Sequence, residues 1–289
     1  MKRIFIRMKR IIPPLLMLAP SLIGVMILYI IPLINNFSEC FTEGVNEKVY
    51  VGFKNFTDLF SNKAFALAVG NTLRFYAIAI PALLIIPLLL ALAAVRNKKI
   101  SSFCTVAMTM PIVMPLVSVM LVLDSFFVSN GFLNSALEWL GMAPINTQSD
   151  VFSFVYLVIV FVFRYSGYNF LLYLAGRVRI KKEYYEVAAL DGAGSVRSFF
   201  KITLPLMMPT FFLTFIVTII NSYKLYREAY WIGGDYPNET IYMIQHFINN
   251  NLHSLNYHRL AAASVLILIV TLVIVGILFF IQSRVEVES

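Results

Sequence analysis

The sequence predicts an all-α membrane protein of six transmembrane helices with both termini on the cytoplasmic side. Three observations carry that fold class. Hydrophobic residues make up 60% of the 289-residue chain and charged residues only 13%, against an apolar share of roughly 45–50% in soluble domains. The mean hydropathy is +0.80. The apolar residues also gather into runs separated by short charged stretches, each run near the ~20 residues that an α-helix needs to cross the ~30 Å hydrocarbon layer. Read this way, the chain is one polytopic domain at 11–282, with a cytoplasmic N-terminus at 1–10 and a cytoplasmic tail at 283–289.

The runs lie at 11–35, 67–95, 103–127, 151–176, 204–222 and 260–282. The first follows MKRIFIRMKR, which has the charge of a signal peptide, but it is too long for that role and lacks a small-residue cleavage site, so it reads as a retained span. Lys2, Arg3, Arg7, Lys9 and Arg10 precede it. Arg96, Lys98 and Lys99 follow the second run, and Arg177, Arg179, Lys181, Lys182, Arg197 and Lys201 lie between the fourth and fifth. Basic residues mark cytoplasmic segments, which sets the orientation and makes 177–203 a cytoplasmic loop. The segment 128–150 carries Glu138 and Asp150 and no Lys or Arg, as suits an outer loop, while 36–66 and 223–259 are roughly balanced. Pro81, Pro87, Pro111 and Pro115 fall inside spans, where neighbouring helices satisfy the freed backbone; they mark expected kinks.

The formal charge of +8 follows from these flanking clusters and calls for no nucleic acid. Cys40 and Cys104 fall on opposite sides of the membrane and cannot pair, and no metal-ligand spacing occurs. No phosphate-binding loop, His-Glu-x2-His or Gly-x-Ser-x-Gly is present. His246, His253 and His258 lack carboxylate spacing and read as a solvated outer surface. The chain is therefore expected to have no catalytic residues and no metal.

Within 177–203 the pattern turns amphipathic. Tyr184, Val187, Ala188 and Leu190 fall on or near one helical face, Gly192 permits a left-handed end, Ser195 can cap a second short turn, and Pro205 suits the first turn of the fifth span. Periodicity alone fits a helix docking on another protein or one lying on lipid phosphates. The spacing of Glu186, Ala188, Gly192, Ile202, Leu204 and Pro205 decides between them, because it resembles the EAA loop of binding-protein-dependent ABC importers. Val187 departs where the family has its first Ala. Further pieces resemble the carbohydrate permeases of that superfamily: PSLIGVMILYIIPLI at 20–34, VGFKNFTDLF at 51–60, NTL at 71–73, GFLN at 131–134, SGYNFLLYLAG at 166–176 and GGDYPNET at 233–240.

The resemblance implies a type I ABC importer permease fold in a bacterial cytoplasmic membrane. It also implies a second permease subunit, two ATPase subunits that bind ATP and Mg, an extracellular solute-binding protein and a carbohydrate cargo, with no cofactor in this chain. It assigns ATPase coupling to Glu186, Ala188, Ala189, Asp191, Gly192, Ile202, Leu204 and Pro205. Lys181, His258, Arg259, Asp124 and Arg164 depart from the family's habits and leave the cargo open. Glycerol phosphate or another polar metabolite is an alternative; a secondary transporter or membrane enzyme working alone, or a scaffold, is a rival from another class.

An ionisable residue inside a span is by default functional. Arg164 lies about 13 residues, or roughly 20 Å, into the fourth helix by the ~1.5 Å rise per residue. Three partners suit it: Asp124 near the outer end of the third span, another subunit or backbone carbonyls, and the cargo. Tyr168, Asn169, Tyr173 and Asn221, with Tyr165, combine rings and polar tips that could meet a sugar. The stronger reading of the same residues is glue between helices, a common use of Tyr and Asn there.

Overall fold

A computed structural model of the chain describes residues 14, 17–44, 47–95, 98–147 and 149–288. The expected N-terminal segment 1–10 and the flanking Arg96 lie outside the described residues. Six helical stretches are long and apolar enough to cross a membrane: Met17–Glu39, Lys63–Ala94, Leu116–Trp139, Asp150–Val178, Met208–Gly233 and Tyr257–Ser283. They are called here the first to sixth spans. The chain divides into two compact units, Met1–Asn62 with Asn251–Thr271 and Lys63–Asn250 with Leu272–Ser289.

In the smaller unit the first span includes a π-helical turn at Met26–Ile30 before continuing as Ile31–Glu39. The chain then turns through an antiparallel pair, Thr42–Glu43 with Val49–Tyr50, registered Thr42 to Tyr50. The 51–60 stretch folds back as helix Lys54–Phe60. Asn55 Nδ2 fastens it by donating to the carbonyls of Cys40 (3.1 Å) and Thr42 (2.9 Å), and Phe41, Phe53 and Phe56 cluster with ring centroids 5.5–6.0 Å apart. Lys54 Nζ donates to Glu43 at 2.7 Å; that bond holds the Glu43 carboxyl below its ordinary range. Cys40 is fully buried.

The larger unit is organised around the fourth span, half of whose most apolar stretch is buried inside the protein. Phe75, Ala79 and Leu83 recur at one helical face of the second span and meet Phe154, Leu157, Phe161 and Tyr165 of the fourth, the spacing that lets two helices interlock along a seam. Toward the other end Leu88, Ala91 and Ala94 pack with Phe170, Tyr173, Ile180 and Met207. Gly167 lets the helix that precedes Pro115 approach closely, because a Cβ there would fall onto the Met108 carbonyl. Such small residues at contacts are how membrane helices gain packing.

Two expectations need correction. The run 103–127 is not one kinked helix: Lys98–Val113 ends, Pro115 adopts an extended conformation (φ −55°, ψ 146°), and Leu116–Phe127 starts anew. Pro81 and Pro87, by contrast, sit within the unbroken helix Lys63–Ala94. The fifth span does not stop at 222, since a 3-10 turn at Tyr223–Leu225 leads directly into helix Tyr226–Gly233. Lys224, Arg227 and Glu228, which made that segment look like a loop, are on that helical continuation.

The motifs outside the loop fasten the larger unit. Asn71 Nδ2 donates to the carbonyls of Tyr242 (3.0 Å) and Glu239, and Thr72 Oγ1 accepts from Ile244 N–H at 3.0 Å. In the 233–240 stretch Asn238 Nδ2 reaches Ser153 Oγ at 3.0 Å and Thr240 Oγ1 donates to the Asp150 carbonyl at 3.0 Å. Asn134 of GFLN spans a loop, exchanging bonds with Ile145 N–H and carbonyl at 2.9 and 3.1 Å. Apart from the side-chain bond of Asn238 to Ser153, these bonds satisfy backbone groups that would otherwise be left unpaired where the chain leaves regular helix.

Candidate functional site

Two regions of the larger unit hold the functional residues singled out by the sequence. The first is the loop between the fourth and fifth spans. Helix Glu183–Leu190 has no buried residue; Tyr184, Val187 and Leu190 are 53%, 59% and 88% exposed. Three large apolar side chains at helical spacing are thus free to enter a groove on another protein. Glu186, Ala189, Asp191 and Gly192 are exposed beside them, and Ala188 is half-buried.

The helix ends in a defined way. Gly192 N–H donates to the Ala189 carbonyl (3.0 Å) and Ala193 N–H to the Ala188 carbonyl (2.8 Å), with Gly192 at φ 75°. That pair of bonds is the Schellman arrangement, whose left-handed residue is usually glycine. The next helix, Ser195–Ser198, corrects the expected cap: Gly194 occupies the N-cap without a side-chain bond, and Ser195 is the first helical residue. A π-helical turn at Phe199–Thr203 follows, then Leu204–Leu206 with Pro205 in its first turn. Ile202 packs against the core and Leu204 is half-buried, whereas Pro205 is exposed.

Sequence reasoning missed the residue that fixes this loop to the membrane helices. Tyr185 points inward, shares a hydrogen bond with Thr203 Oγ1 at 2.7 Å, and lies under the Arg177 guanidinium, 4.3 Å from its ring centroid. One side chain thereby joins the loop helix to the end of the fourth span and to the base of the fifth. The signal was Tyr185 itself, an aromatic on the face opposite Val187.

The second region is a cleft of about 560 Å³ whose lining includes Arg164, Tyr165, Tyr168, Lys224, Arg227 and Glu228. Arg164 Nε lies 3.2 Å from Glu228 Oε1, with side chains 17% and 1% exposed. Tyr165 OH donates to the same carboxylate oxygen at 3.1 Å. Asp124, the partner the sequence offered, does not pair with Arg164. Its carboxylate instead accepts from Tyr156 OH (2.5 Å) and Trp231 Nε1 (2.8 Å). Glu228 was missed because the fifth span was read as ending six residues before it; a lone acid among Leu225, Ala229 and Trp231 was the available sign.

Of the other candidates, Tyr168 lines the cleft and is 42% exposed. Asn169 is fully buried and donates to the Leu83 carbonyl and Thr218 Oγ1, both at 2.8 Å. Tyr173 packs on Phe211 with centroids 5.1 Å apart, and Asn221 Oδ1 accepts from Lys224 Nζ at 3.1 Å. These three sit between helices.

His246, expected on a solvated surface, is fully buried. Its Nδ1 accepts from Met243 N–H at 3.2 Å, which puts the ring proton on Nε2, and its ring packs on Tyr226 and Tyr242. Burial pushes its pKa down to about 4. His258 is half-buried, 3.5 Å from Glu39. No cluster of three metal-ligating side chains occurs among the described residues.

The larger unit thus presents an exposed apolar face on the loop helix and a polar cleft among its spans. Residues 69–287 match the family of binding-protein-dependent transport system inner membrane components, and the chain belongs to that family. It is a multi-pass transport component. Among its relatives, the arabinooligosaccharides transport system permease protein of Bacillus subtilis is 28% identical over 270 residues, covering 90% of this chain and 85% of that protein. The lactose transport system permease protein of Rhizobium radiobacter is 27% identical over 244 residues, covering 81% of each. The fold matches that of a bacterial ABC transporter involved in the import of the acidic polysaccharide alginate, with TM-score 0.86 over 98% of this chain and 99% of that one at 24% identity.

Proposed function

We propose that this permease imports a sugar or oligosaccharide delivered by an extracellular solute-binding protein, as one of two membrane subunits driven by two separate ATPase subunits. The observation that carries the reading is the loop helix Glu183–Leu190, which exposes Tyr184, Val187 and Leu190 while Tyr185 ties it to both adjoining spans. An exposed apolar face on a rigid lever is what a motor subunit needs to transmit its closure. ATP and Mg belong to the ATPase subunits in this reading, and Glu186, Ala188, Ala189, Asp191 and Gly192 form the contact, with Ile202, Leu204 and Pro205 fixing the base of the lever. The basic residues around the loop favour its cytoplasmic placement, with both termini on that side. The sugar cargo is supported by the relatives named for arabinooligosaccharides and lactose.

The test is Gly192→Glu. The replacement costs about 1–2 kcal/mol of left-handed backbone strain and puts a charged side chain into the docking face, since the space beside Gly192 is open. Uptake should be lost and the ATPase should no longer co-purify, while membrane insertion is retained. Full uptake by a well-expressed variant would refute the coupling role.

A further inference from the structure

We propose that the cleft at Arg164 and Glu228 receives a cargo bearing anionic oxygens, so that the carbohydrate is an acidic saccharide. This rests on the reading of the chain as a carbohydrate permease and adds the charge of what it carries. The cleft is lined by three cations, Arg164, Lys224 and Arg227, against one carboxylate, Glu228. That carboxylate is already held by Arg164 Nε and Tyr165 OH. Neither Lys224 nor Arg227 lies within ion-pair distance of a carboxylate among the described residues. Both are exposed, and Lys224 bonds only a neutral amide, that of Asn221. Asp235, which acts electrostatically on nearby Tyr226, is not among the lining residues.

The position of these cations is the second argument. The basic residues at 177–201 are explained by membrane orientation, but Lys224 and Arg227 follow the apolar part of the fifth span at its other end, where that bias disfavours them. Both lie within the helical stretch Met208–Gly233, and ionisable residues within a span face the interior or a water-filled cavity and mark transport pathways. Excess positive charge in a cleft with low-dielectric walls concentrates anions there by a factor of about 10 or more. A neutral sugar gains nothing from that field, whereas a carboxylate or phosphate does. Tyr168, half exposed on the same wall, supplies a ring face and a hydroxyl for the remainder of a sugar.

A cysteine reporter reads the field directly and does not depend on the binding protein. In the assembled transporter in lipid nanodiscs, Gln245→Cys is introduced with Cys40→Ser and Cys104→Ser, and Tyr226→Cys serves as a second reporter. Both native positions line the cleft. Thiol modification by an anionic methanethiosulfonate should outpace that by a cationic one by about 10-fold, after correction for the free thiol. Arg227→Gln with Lys224→Gln should remove most of that preference, as should high salt. Trigalacturonate should slow modification more than its neutral methyl ester does.

Equal protection by acid and ester, or no preference between the reagents, would overturn the inference and leave the carbohydrate reading standing. Protection by glycerol 3-phosphate alone would keep the anionic cargo and overturn the carbohydrate. Failure of all three probes to protect would overturn the proposal that cargo binds in this cleft.

Discussion

The loop helix and the membrane cleft are held by opposite kinds of interaction. Helix Glu183–Leu190 is fixed by bonds that close within a short stretch of chain: its Schellman end spans 188–193, and Tyr185 reaches Thr203, 18 residues on. It turns only Tyr185 and Ala188 partly inward and leaves its apolar face open. The cleft joins distant parts of the chain, with Tyr165 meeting Glu228 across 63 residues, and beside it Asp124 of the third span meets Trp231 of the fifth across 107. Its central pair, Arg164 and Glu228, is withdrawn from solvent, while Lys224 and Arg227 at its wall are exposed. The loop can therefore be altered at little cost to the fold, whereas changes in the cleft bear on the stability of the whole unit.

The largest effect that would break this contrast is at the buried ion pair. Glu228→Gln leaves Arg164 inside the spans without a counter-charge, and removing one partner of a buried pair costs about 3–5 kcal/mol. A correspondingly large drop in melting temperature should appear for the detergent-purified protein. The double replacement Arg164→Met with Glu228→Leu should recover much of that loss, because no charge is then left buried, yet it should not restore transport. A melting point unchanged in Glu228→Gln would mean that the pair is solvated and that the cleft resembles the loop after all.

The same contrast explains what the sequence disclosed. Apolar length alone gave the number of spans, because the bilayer imposes one requirement on every crossing segment, but it misplaced the third, which lies at Leu116–Trp139, and cut the fifth short of Gly233. The loop's shape was readable down to Gly192, since a helix end and an exposed apolar face depend on neighbours a few residues apart. The bond between Arg164 and Glu228 was not, because nothing in a single sequence says which acid an arginine meets across two helices. Lys224 and Arg227 then made a helical continuation resemble a loop. Pro115 was misjudged for a related reason: Pro81 and Pro87 are accommodated inside a helix and Pro115 is not, a difference set by packing. His246 looked solvated among polar neighbours, although Tyr226 and Tyr242 enclose it.

His246 sharpens the comparison through pH. Its pKa is pushed down to about 4 in the folded protein by burial, against about 6.5 in an unfolded chain. Between those values the unfolded state binds more protons than the native state, so stability rises with pH. The contribution is complete above about pH 6.5 and is lost as pH falls through 4, a total of about 3 kcal/mol. Thermal melts across that window should show the slope, and His246→Gln should flatten it. An unchanged slope would place the titrating group elsewhere. The loop helix buries no residue of this kind, so its variants should keep the wild-type slope.

The smallest expected effect lies at the anchor of the loop. Tyr185→Phe keeps the ring beneath Arg177 and removes only the hydroxyl shared with Thr203. A single partly buried hydrogen bond contributes about 1 kcal/mol, so melting of the protein should barely change. Coupling should respond more than stability, because a loosened joint lets the lever tilt without moving the spans: ATP hydrolysed per cargo molecule should rise while the ATPase still binds. Tyr185→Ala, which also removes the ring, should raise the ratio further. If the Phe variant keeps wild-type stoichiometry and the Ala variant loses it, the ring under Arg177 is the joint and the hydroxyl is incidental. If both keep it, the loop is held by the packing of Phe199 and Ile202 against the core, and Tyr185 is not the element that transmits motion.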